Sequence, residues 1–375
     1  MKILVLSSNN GEGHNSASRA VMEQAERRGV FSVMIDTLLF ESAKYSDLVR
    51  RIHVGSALYA PGIFKAGNEL AEKMTEKGVE KRKPSACYTA NARYAGRIRK
   101  FIDDNGFDVV VATHIFAAEA LTYLRDIGAA RFRSYFIVTD YSCTPFLAET
   151  NLDGYFVPNK LMLPYFNEKA PGKNYIASGI PVSESLTQKT DKAEARRRLG
   201  LPQGVPVVMV MTGSMGFGNI AAFSEAFEPI MPPNTLVLAL CGNNKRLKKN
   251  LLEEFADRAF LRIVDYTDQV GLYLDAADVL VSKPGGLSST EAAVKEIPLV
   301  HTTPLPGWEE DNVAFFTALG ISATGRDAQE MAQCALRLLS DDAARAEMAR
   351  CQRKQINKFA ARDIMDTIER DVAGQ

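Results

Sequence analysis

A turn rich in glycine and hydroxyl side chains, from Ser282 to Thr290, carries residue types that bind phosphate groups. It follows the apolar run Val279–Val281, which has the length of a buried strand. Apolar residues return at helical spacing from Leu287, so the pattern predicts a helix with residues 288–290 in its first turn. Unpaired backbone N–H groups and the helix dipole attract anions there, and the glycines before the helix allow close approach. The turn is therefore a candidate anion site.

Glu291 stands one residue beyond this turn, and its carboxylate can accept hydrogen bonds from two vicinal hydroxyls, as on a ribose. A diphosphate next to a ribose is the simplest ligand that meets both demands. An ordinary strand–turn–helix corner, capped by a serine, is the alternative. A glycine pair alone favours that alternative, whereas Glu291 and the other polar loops favour a ligand site.

A second candidate, His14, lies in a glycine loop that follows the apolar run Ile3–Leu6. The loop reads Gly11-Glu12-Gly13-His14 and enters an alanine-rich helix, but its spacing is not GxGxxG and it has no P-loop lysine. Histidine titrates near neutral pH and suits general-base catalysis, while the glycines allow a ligand to approach the backbone. A helix cap or a surface histidine is the alternative.

Further polar clusters follow other apolar runs. The glycine loop Thr212–Gly218 starts another helix in the second half of the chain. The stretch Glu309–Asn312 places three acids and an amide at a helix start, where they suit a hydroxyl-rich ligand or simple N-capping. Residues at the carboxyl ends of strands line ligand sites in open α/β sheets. Three such lining candidates are His114, Asp140 and Tyr141.

Apolar runs alternate with helical patterns along the chain, which predicts parallel sheets joined by right-handed crossovers. At 375 residues and 46% hydrophobic composition, the chain suits two domains, each with a core of its own. We expect an α/β protein of two Rossmann-like domains, residues 1–182 and 183–355, whose parallel sheets face each other across a cleft. The polar stretch Ser183–Glu194 is typical of a linker. A helix within residues 356–375 is expected to pack back on the first domain.

Composition excludes several classes of protein. The five cysteines have no paired or metal-binding spacing, which predicts free thiols in a reducing cytosol. No apolar stretch is long enough for a signal peptide or a membrane span, so any membrane contact is expected to be peripheral.

One segment is strongly basic although the net charge of the chain is zero. Residues 44–100 contain 13 Lys and Arg against 5 Asp and Glu, interleaved with apolar side chains such as Leu58, Tyr59 and Phe64. A basic, apolar-bearing helical stretch suits an anionic membrane surface. A solvated helix face over the core is the alternative.

These motifs occur in the order found in glycosyltransferase family 28, a group of inverting enzymes with a two-domain GT-B fold. The chain resembles that family over nearly its whole length, and within it the branch of diacylglycerol glucosyltransferases and monogalactosyldiacylglycerol synthases. The motif after Val281 is fairly specific, and the others gain weight as an ordered set. The matching motifs are Gly11-Glu12-Gly13-His14, Thr139-Asp140-Tyr141, Ser178-Gly179-Ile180-Pro181-Val182, Lys283-Pro284-Gly285-Gly286 with Thr290-Glu291-Ala292, and Pro306-Gly307 with Glu309 and Asn312.

The resemblance implies transfer of a hexose from a UDP-sugar to the hydroxyl of a membrane lipid such as diacylglycerol. His14 matches the base that deprotonates this hydroxyl. No metal or other cofactor is expected, since no DxD triplet occurs and a helix amino end can stabilise the departing UDP. The donor-binding residues that the resemblance implies include Gly13 of the histidine loop. The others are Tyr266 and Thr267, whose backbone would hold uracil, Glu291 on the ribose, Gly213, Ser214, Gly285, Gly286, Ser288, Ser289 and Thr290 on the diphosphate, and Glu309, Glu310 and Asn312 on the sugar hydroxyls.

The resemblance also implies a place in the cell: the cytoplasm, peripherally on the inner face of the cell membrane, with no nucleic-acid partner. The chain departs from the family at Ser183, where an arginine commonly contacts the donor. Thr144 and Leu147 stand where related lipid enzymes often carry histidine and tryptophan. Two other functions remain open: a UDP-N-acetylglucosamine 2-epimerase of the same two-domain plan, and a nucleotide-sugar sensor without turnover.

Overall fold

The computed structural model describes residues 1–9, 11–59, 84–211, 220–305 and 307–374. Gly213, Ser214 and the middle of the basic segment, including Phe64, lie outside the described residues. The chain divides into two compact units. The first unit comprises Met1–Glu184, Pro306–Trp308 and Asn357–Gln375, and the second comprises Ser185–Leu305 and Glu309–Ile356.

Each unit contains one six-stranded sheet in which all neighbouring strands are parallel, as the alternating pattern predicts. The central strands are short apolar runs buried on both faces, which is typical of parallel sheets covered by helices, whereas the edge strands β2, β6, β9 and β12 are partly exposed. The elements in chain order are β1 (Lys2–Ser7), α1 (Glu12–Arg27), β2 (Phe31–Asp36), α2 (Ala43–Tyr59), α3 (Ala86–Asn105), β3 (Val109–Ala112), α4 (Ile115–Asp126), β4 (Arg133–Ile137), β5 (Gly154–Val157), α5 (Leu163–Lys169), β6 (Tyr175–Ala177), α6 (Glu184–Thr187), α7 (Lys192–Arg198), β7 (Val207–Met211), α8 (Ile220–Phe227), β8 (Leu236–Leu240), α9 (Lys245–Glu254), β9 (Leu261–Val264), α10 (Val270–Ala276), β10 (Val279–Ser282), α11 (Gly286–Val294), β11 (Leu299–His301), α12 (Trp308–Ala318), β12 (Ala323–Thr324), α13 (Ala328–Ser340), α14 (Asp342–Gln355) and α15 (Ala360–Ala373).

The strand order of the first sheet is β2-β1-β3-β4-β5-β6. β1 lies between β2 and β3. The connection from β1 leads to β2 on one side, and the connection from β2 leads to β3 on the other side, so the strand order reverses between β1 and β3. Such a switch point opens a crevice beyond the carboxyl ends of the strands. The loops that follow β1 and β3 meet there, which places the histidine loop at the ligand-binding edge of this sheet.

The second sheet has the order β12-β11-β10-β7-β8-β9, and its switch point lies between β7 and β10. Met211 at the end of β7 pairs with Ser282 at the end of β10. The glycine loop that contains Gly213 follows the first of these strands, and the turn before α11 follows the second. Both predicted phosphate-binding loops therefore start from adjacent strand ends.

Helix α15 belongs to the first unit, far in sequence from the rest of that unit. Its residues Ile364, Met365 and Ile368 are fully buried and pack in one core cluster with Ile3 of β1 and Val21 of α1. Burial of each such side chain stabilises a fold by about 1.5–3 kcal/mol. The helix thus completes the core beneath the sheet that carries His14.

The stretch predicted as a linker contains α6 and the start of α7, and from Ser185 onward it belongs to the second unit. Asp191 accepts hydrogen bonds from the Ala193 and Glu194 amides, so α7 begins at Lys192, within the stretch predicted as a linker. The buried ammonium of Lys295 donates to the carbonyl of Gln188 and to the buried carboxylate of Asp275. These bonds attach the stretch to the second unit at Gln188.

The expectation of free thiols is confirmed, since all five cysteines are unbridged. Across the described ranges, no helix has the length and apolar character needed to cross a bilayer.

Candidate active site

His14 is the third residue of α1 and lies at the switch point of the first sheet. Its Nδ1 atom is 2.8 Å from the backbone oxygen of Thr113, which follows β3, and 3.0 Å from Oγ1 of Thr139, which follows β4. Three adjacent strands therefore bring three distant parts of the sequence to one imidazole ring.

The contact with Thr113 determines which nitrogen of His14 can act as a base. A backbone carbonyl only accepts hydrogen bonds, so Nδ1 carries the hydrogen and donates it to this oxygen. In the neutral ring the lone pair is then on Nε2. The arrangement favours proton abstraction by Nε2.

Further bonds fix the backbone and ring of His14. Ser18 donates to the carbonyl oxygen of His14 at 2.8 Å, and its hydroxyl lies 2.9 Å from Oγ1 of Thr113. The ring of His114 packs edge-on against the His14 ring at 4.8 Å. His114, predicted as a lining residue, also caps α4 by accepting the Phe116 amide, so its ring is held in place beside His14.

The glycine loop before His14 is held by amide and hydroxyl groups. Ser7 donates to Oδ1 of Asn15 at 2.7 Å, and Nδ2 of Asn15 lies 3.3 Å from Oδ1 of Asn9 and from Oε2 of Glu12. Gly13 lies in the first turn of α1, whose N-cap Gly11 has no side chain to close the helix end. The amino end of α1 therefore keeps its backbone exposed to an approaching ligand.

The turn before α11 differs from the prediction by one residue. Gly285 is the N-cap and the helix begins at Gly286, so the Ser289 amide already donates to the Gly285 carbonyl at 3.0 Å. The amides of Leu287 and Ser288 precede the first acceptor within the helix and point out of its amino end. The prediction that Ser289 and Thr290 offer amides to an anion is therefore wrong, because one helical turn has already used them.

The side chains of Ser289 and Thr290 also face the interior, where both are fully buried. The Ser289 hydroxyl lies 2.9 Å from Nε2 of His301, and Thr290 donates to the Gly286 carbonyl at 2.7 Å. Burial lowers the pKa of His301 to about 3, so this ring is neutral while it bridges Ser289 and Ser322. These groups lock α11 onto β11, and Ser288 alone of the three hydroxyls is partly exposed.

Glu309 and Asn312, predicted to hold sugar hydroxyls, lie beneath the turn. The side chain of Glu309 is only 2% exposed and its oxygens accept bonds from Lys283 Nζ at 2.8 Å and from the Leu305 amide at 2.9 Å. Asn312 is fully buried and donates to the Pro284 carbonyl at 2.8 Å. Glu310 is exposed and remains accessible to a ligand.

The remaining predicted donor residues lie on the second unit. Tyr266 and Thr267 follow β9, with Tyr266 64% exposed and Thr267 accepting the Gln269 amide at 3.0 Å. Glu291 is half-buried on α11, directly after the turn. Gly213 and Ser214 are outside the described residues, but they follow β7, the strand next to β10.

Three residues near these sites were not predicted as site residues. Thr113 acts through its carbonyl, which no residue pattern reveals. Thr139 follows an apolar run, as several candidate residues do, and that signal was available. Lys283 stands inside the most specific motif of the chain, and a cation beside a helix amino end is the signal that could have identified it.

Other positions have roles within the first unit. Tyr141, a predicted lining residue, is 1% exposed and belongs to the core. Ser183, where the family commonly has an arginine, donates to the carboxylate of Glu23 at 2.9 Å. Among the described residues, no group of three or more His, Cys, Asp or Glu side chains is arranged to hold a metal ion.

Two family models match the chain in succession. The model of monogalactosyldiacylglycerol (MGDG) synthase matches residues 14–182, and the glycosyltransferase family 28 C-terminal domain matches residues 207–368. A curated relative, the processive diacylglycerol beta-glucosyltransferase of Bacillus mycoides, is 24% identical over 98% of this chain and 93% of its own.

Solved structures show the same fold. MurG of Acinetobacter baumannii has a TM-score of 0.64 at 14% identity, covering 98% of this chain and 99% of its own. Anabaena HepE in complex with UDP and glucose has a TM-score of 0.60 at 12% identity, covering 98% of this chain and 99% of its own.

Proposed function

The chain belongs to glycosyltransferase family 28, and from this premise we propose that it transfers a hexose from a UDP-sugar to the hydroxyl of a membrane lipid. Its two parallel sheets form the GT-B fold expected of that family. Diacylglycerol is the proposed acceptor, because the curated relative named above is a diacylglycerol beta-glucosyltransferase.

The observation that carries the proposal is the bond between His14 Nδ1 and the Thr113 carbonyl. It leaves Nε2 as the proton acceptor at the ligand-binding edge of the first sheet. A sensor that only binds a nucleotide-sugar does not need an imidazole held in a single tautomer, so this bond favours a transferase.

In the proposed reaction, His14 takes the proton from the acceptor hydroxyl as its oxygen attacks the anomeric carbon of the donor. The new carbon–oxygen bond forms while the bond to UDP breaks on the opposite face, so the anomeric configuration inverts. The departing diphosphate gains negative charge, which the amides and dipole at the amino end of α11 stabilise without a metal ion. Holding both substrates in line supplies much of the rate.

We propose the following division of the donor among the accessible residues. Glu291 holds the ribose, and the backbone at Tyr266 and Thr267 holds the uracil. Ser288, with the loop of Gly213 and Ser214, contacts the diphosphate. Glu310, which is exposed as Asp311 is, accepts hydrogen bonds from the sugar.

A UDP-release screen tests the proposal. UDP-glucose, UDP-galactose and UDP-N-acetylglucosamine would each be incubated with vesicles that contain diacylglycerol, ceramide or a glycolipid. We expect UDP release only in the presence of a lipid hydroxyl, one glycolipid per UDP, and a β-linked product from the α-linked donor by NMR. Epimerised sugar from UDP-sugar without lipid would identify an epimerase, and binding without UDP release across the panel would identify a sensor.

The first unit offers a surface for the membrane that the acceptor requires. On α2, Leu48 and Ile52 are 54% and 61% exposed, and their spacing of four residues places them on one helix face. Arg51 and Lys44, whose side chains are exposed, lie on the same helix. We propose that this face lies on an anionic lipid surface, with its apolar side chains among the acyl chains.

Substitution of Leu48 and Ile52 by aspartate is expected to lower the affinity for phosphatidylglycerol vesicles by about tenfold per site, because an apolar contact is lost and a like charge is introduced. Vesicle sedimentation measures the affinity. Leu252→Asp, at an exposed leucine of α9, is the matched control and leaves binding unchanged. Equal vesicle affinity of the Leu48→Asp/Ile52→Asp variant and the unmodified protein would contradict the membrane assignment.

A further inference from the structure

Three side chains of the second unit surround the turn Pro284–Gly286 from within the protein. Lys283 precedes the turn, whereas Glu309 and Asn312 come from the first two turns of α12. Glu309 and Asn312 are three residues apart, so they occupy the same face of the helix. Together these residues form a buried polar cluster, here called the turn brace.

Within the turn brace, Glu309 is an almost fully buried carboxylate. A buried carboxylate is costly unless a cation and hydrogen-bond donors compensate it. Lys283 supplies the cation at 2.8 Å and the Leu305 amide supplies a second donor at 2.9 Å. Glu309 therefore holds an ammonium in place, and its own oxygens are engaged within the unit.

Asn312 acts on the backbone of the turn. Its Nδ2 donates to the Pro284 carbonyl at 2.8 Å, and the side chain is fully buried. The peptide that this carbonyl begins leads directly into the N-cap Gly285. The bond therefore fixes the direction in which the first amides of α11 point.

Lys283 reaches the amino end of α11. A Cβ atom built on Gly285 would lie 3.4 Å from its Nζ, so the ammonium lies beside the N-cap residue. The Lys283 side chain is 19% exposed, whereas that of Glu309 is 2% exposed, so part of the lysine remains accessible to solvent. Nearby, the hydroxyl of Thr302 is buried without a hydrogen-bond partner among the described residues, while the Thr302 amide donates to the Ser282 carbonyl.

We propose that Lys283 binds the diphosphate of the nucleotide, and that Glu309 and Asn312 are positioning residues that hold this ammonium and the turn in place. The inference rests on the proposed function and differs from the family-based expectation that Glu309 and Asn312 contact the sugar. The ligand class is a nucleoside diphosphate, bound by a fixed cation together with the amides of Leu287 and Ser288.

Titration with UDP-glucose, UDP and uridine shows whether Glu309 and Asn312 position Lys283 and the turn or contact the sugar directly. Calorimetry would be applied to the full chain and to Glu309→Gln, Asn312→Ala and Lys283→Met. We expect each variant to bind UDP and UDP-glucose about tenfold more weakly, by the same factor for both ligands, with uridine unchanged. Lys249→Met, an exposed lysine of α9, is the charge-matched control and changes none of the three affinities.

A double variant keeps the test independent of folding. Lys283→Met/Glu309→Leu replaces the buried pair without leaving a charge unpaired, so its melting temperature is expected to return to that of the unmodified protein. Its UDP affinity is expected to stay about tenfold low, because the ammonium is absent. Recovery of UDP affinity in this variant would overturn the role of Lys283.

Other outcomes would also overturn the inference. Loss of affinity for UDP-glucose alone would mean that Glu309 or Asn312 contacts the sugar. Equal loss for all three ligands would mean general damage to the unit. Absence of UDP binding by the unmodified protein at millimolar concentration would refute the donor assignment itself. This outcome is distinguishable from failure of the Lys283 proposal, because neither UDP nor uridine would then bind even before any substitution.

Discussion

Replacement of His14 by alanine is expected to lower the turnover number by about 10²–10⁴-fold, the range that a positioned general base contributes. The hydrogen bond from Nδ1 to the Thr113 carbonyl directs the basic lone pair to Nε2, and alanine removes that atom without filling the space. UDP binding is expected to stay unchanged, because the proposed donor residues lie on the second unit.

Single-turnover kinetics with UDP-sugar and lipid vesicles would measure the chemical step, and calorimetry with UDP would provide the binding control. Ser16→Ala is the matched variant on the same helix, since the Ser16 hydroxyl contacts Arg19 on the outer face of α1. Unchanged turnover in the His14→Ala enzyme would assign the base to another residue.

The stability of the first unit is expected to fall as the pH rises from about 4.5 to 8, and the substitution Glu119→Gln should remove this loss. Glu119 is fully buried on α4, and Asn91 of α3 donates to its Oε2. Desolvation, followed by the neighbouring carboxyl of Glu149, raises its pKa to about 8. The half-buried thiol of Cys87 and the phenol of Tyr94 also face this carboxyl.

The sign follows from the protons bound in each state. An unfolded glutamate loses its proton near pH 4.5, whereas folded Glu119 keeps it until about pH 8, so the folded state binds more protons within that window. The free energy of unfolding then decreases with pH across the window and levels off above it. Glutamine is permanently neutral and still accepts the Asn91 bond, so at pH 9 it should exceed the natural chain in stability by about 2–4 kcal/mol.

Hydrogen exchange of the backbone amides of α3 and α4, measured at pH 5, 7 and 9, reports the opening free energy of this region directly. At pH 5 the Glu119→Gln variant and the natural chain are expected to agree within about 1 kcal/mol, because both side chains are then neutral. Glu347→Gln is the exposed control, since the carboxyl of Glu347 is paired with Arg350 and its pKa is lowered to about 2. The same pH dependence in the Glu119→Gln variant and the natural chain would show that Glu119 does not hold the proton.

Much of the fold was predictable because its strands are continuous apolar runs bounded by polar loops. Runs such as Val109–Ala112 and Val279–Val281 contain no polar residue, so they do not fit an amphipathic helix or a strand with one solvent-exposed face. They therefore predict strands buried on both faces, which is typical of parallel sheets. Helix boundaries were harder. The start of α11 depends on the backbone angles of Gly285, which glycine permits in several regions, and a shift of one residue changed which amides are available.

Some residues of the candidate site could likewise be predicted from the sequence, and others could not. His14 and the glycine turns could be found because residue type and spacing carry their chemistry. The roles of Glu309 and Asn312 could not, because an acid at a helix start looks the same whether it faces a ligand or a lysine 26 residues away. Contacts made by the Thr113 carbonyl, 99 residues from His14, leave no mark on the sequence.

Helix α15 gives the molecule an order of assembly. A ribosome releases residues 185–356, nearly the whole second unit, before it releases the helix that fills the core of the first. The sheet of the first unit therefore keeps one apolar face exposed until the rest of the polypeptide, including α15, is synthesised. We therefore expect that loss of a few residues near position 365 would destabilise the first unit, which carries His14, and leave the second unit folded.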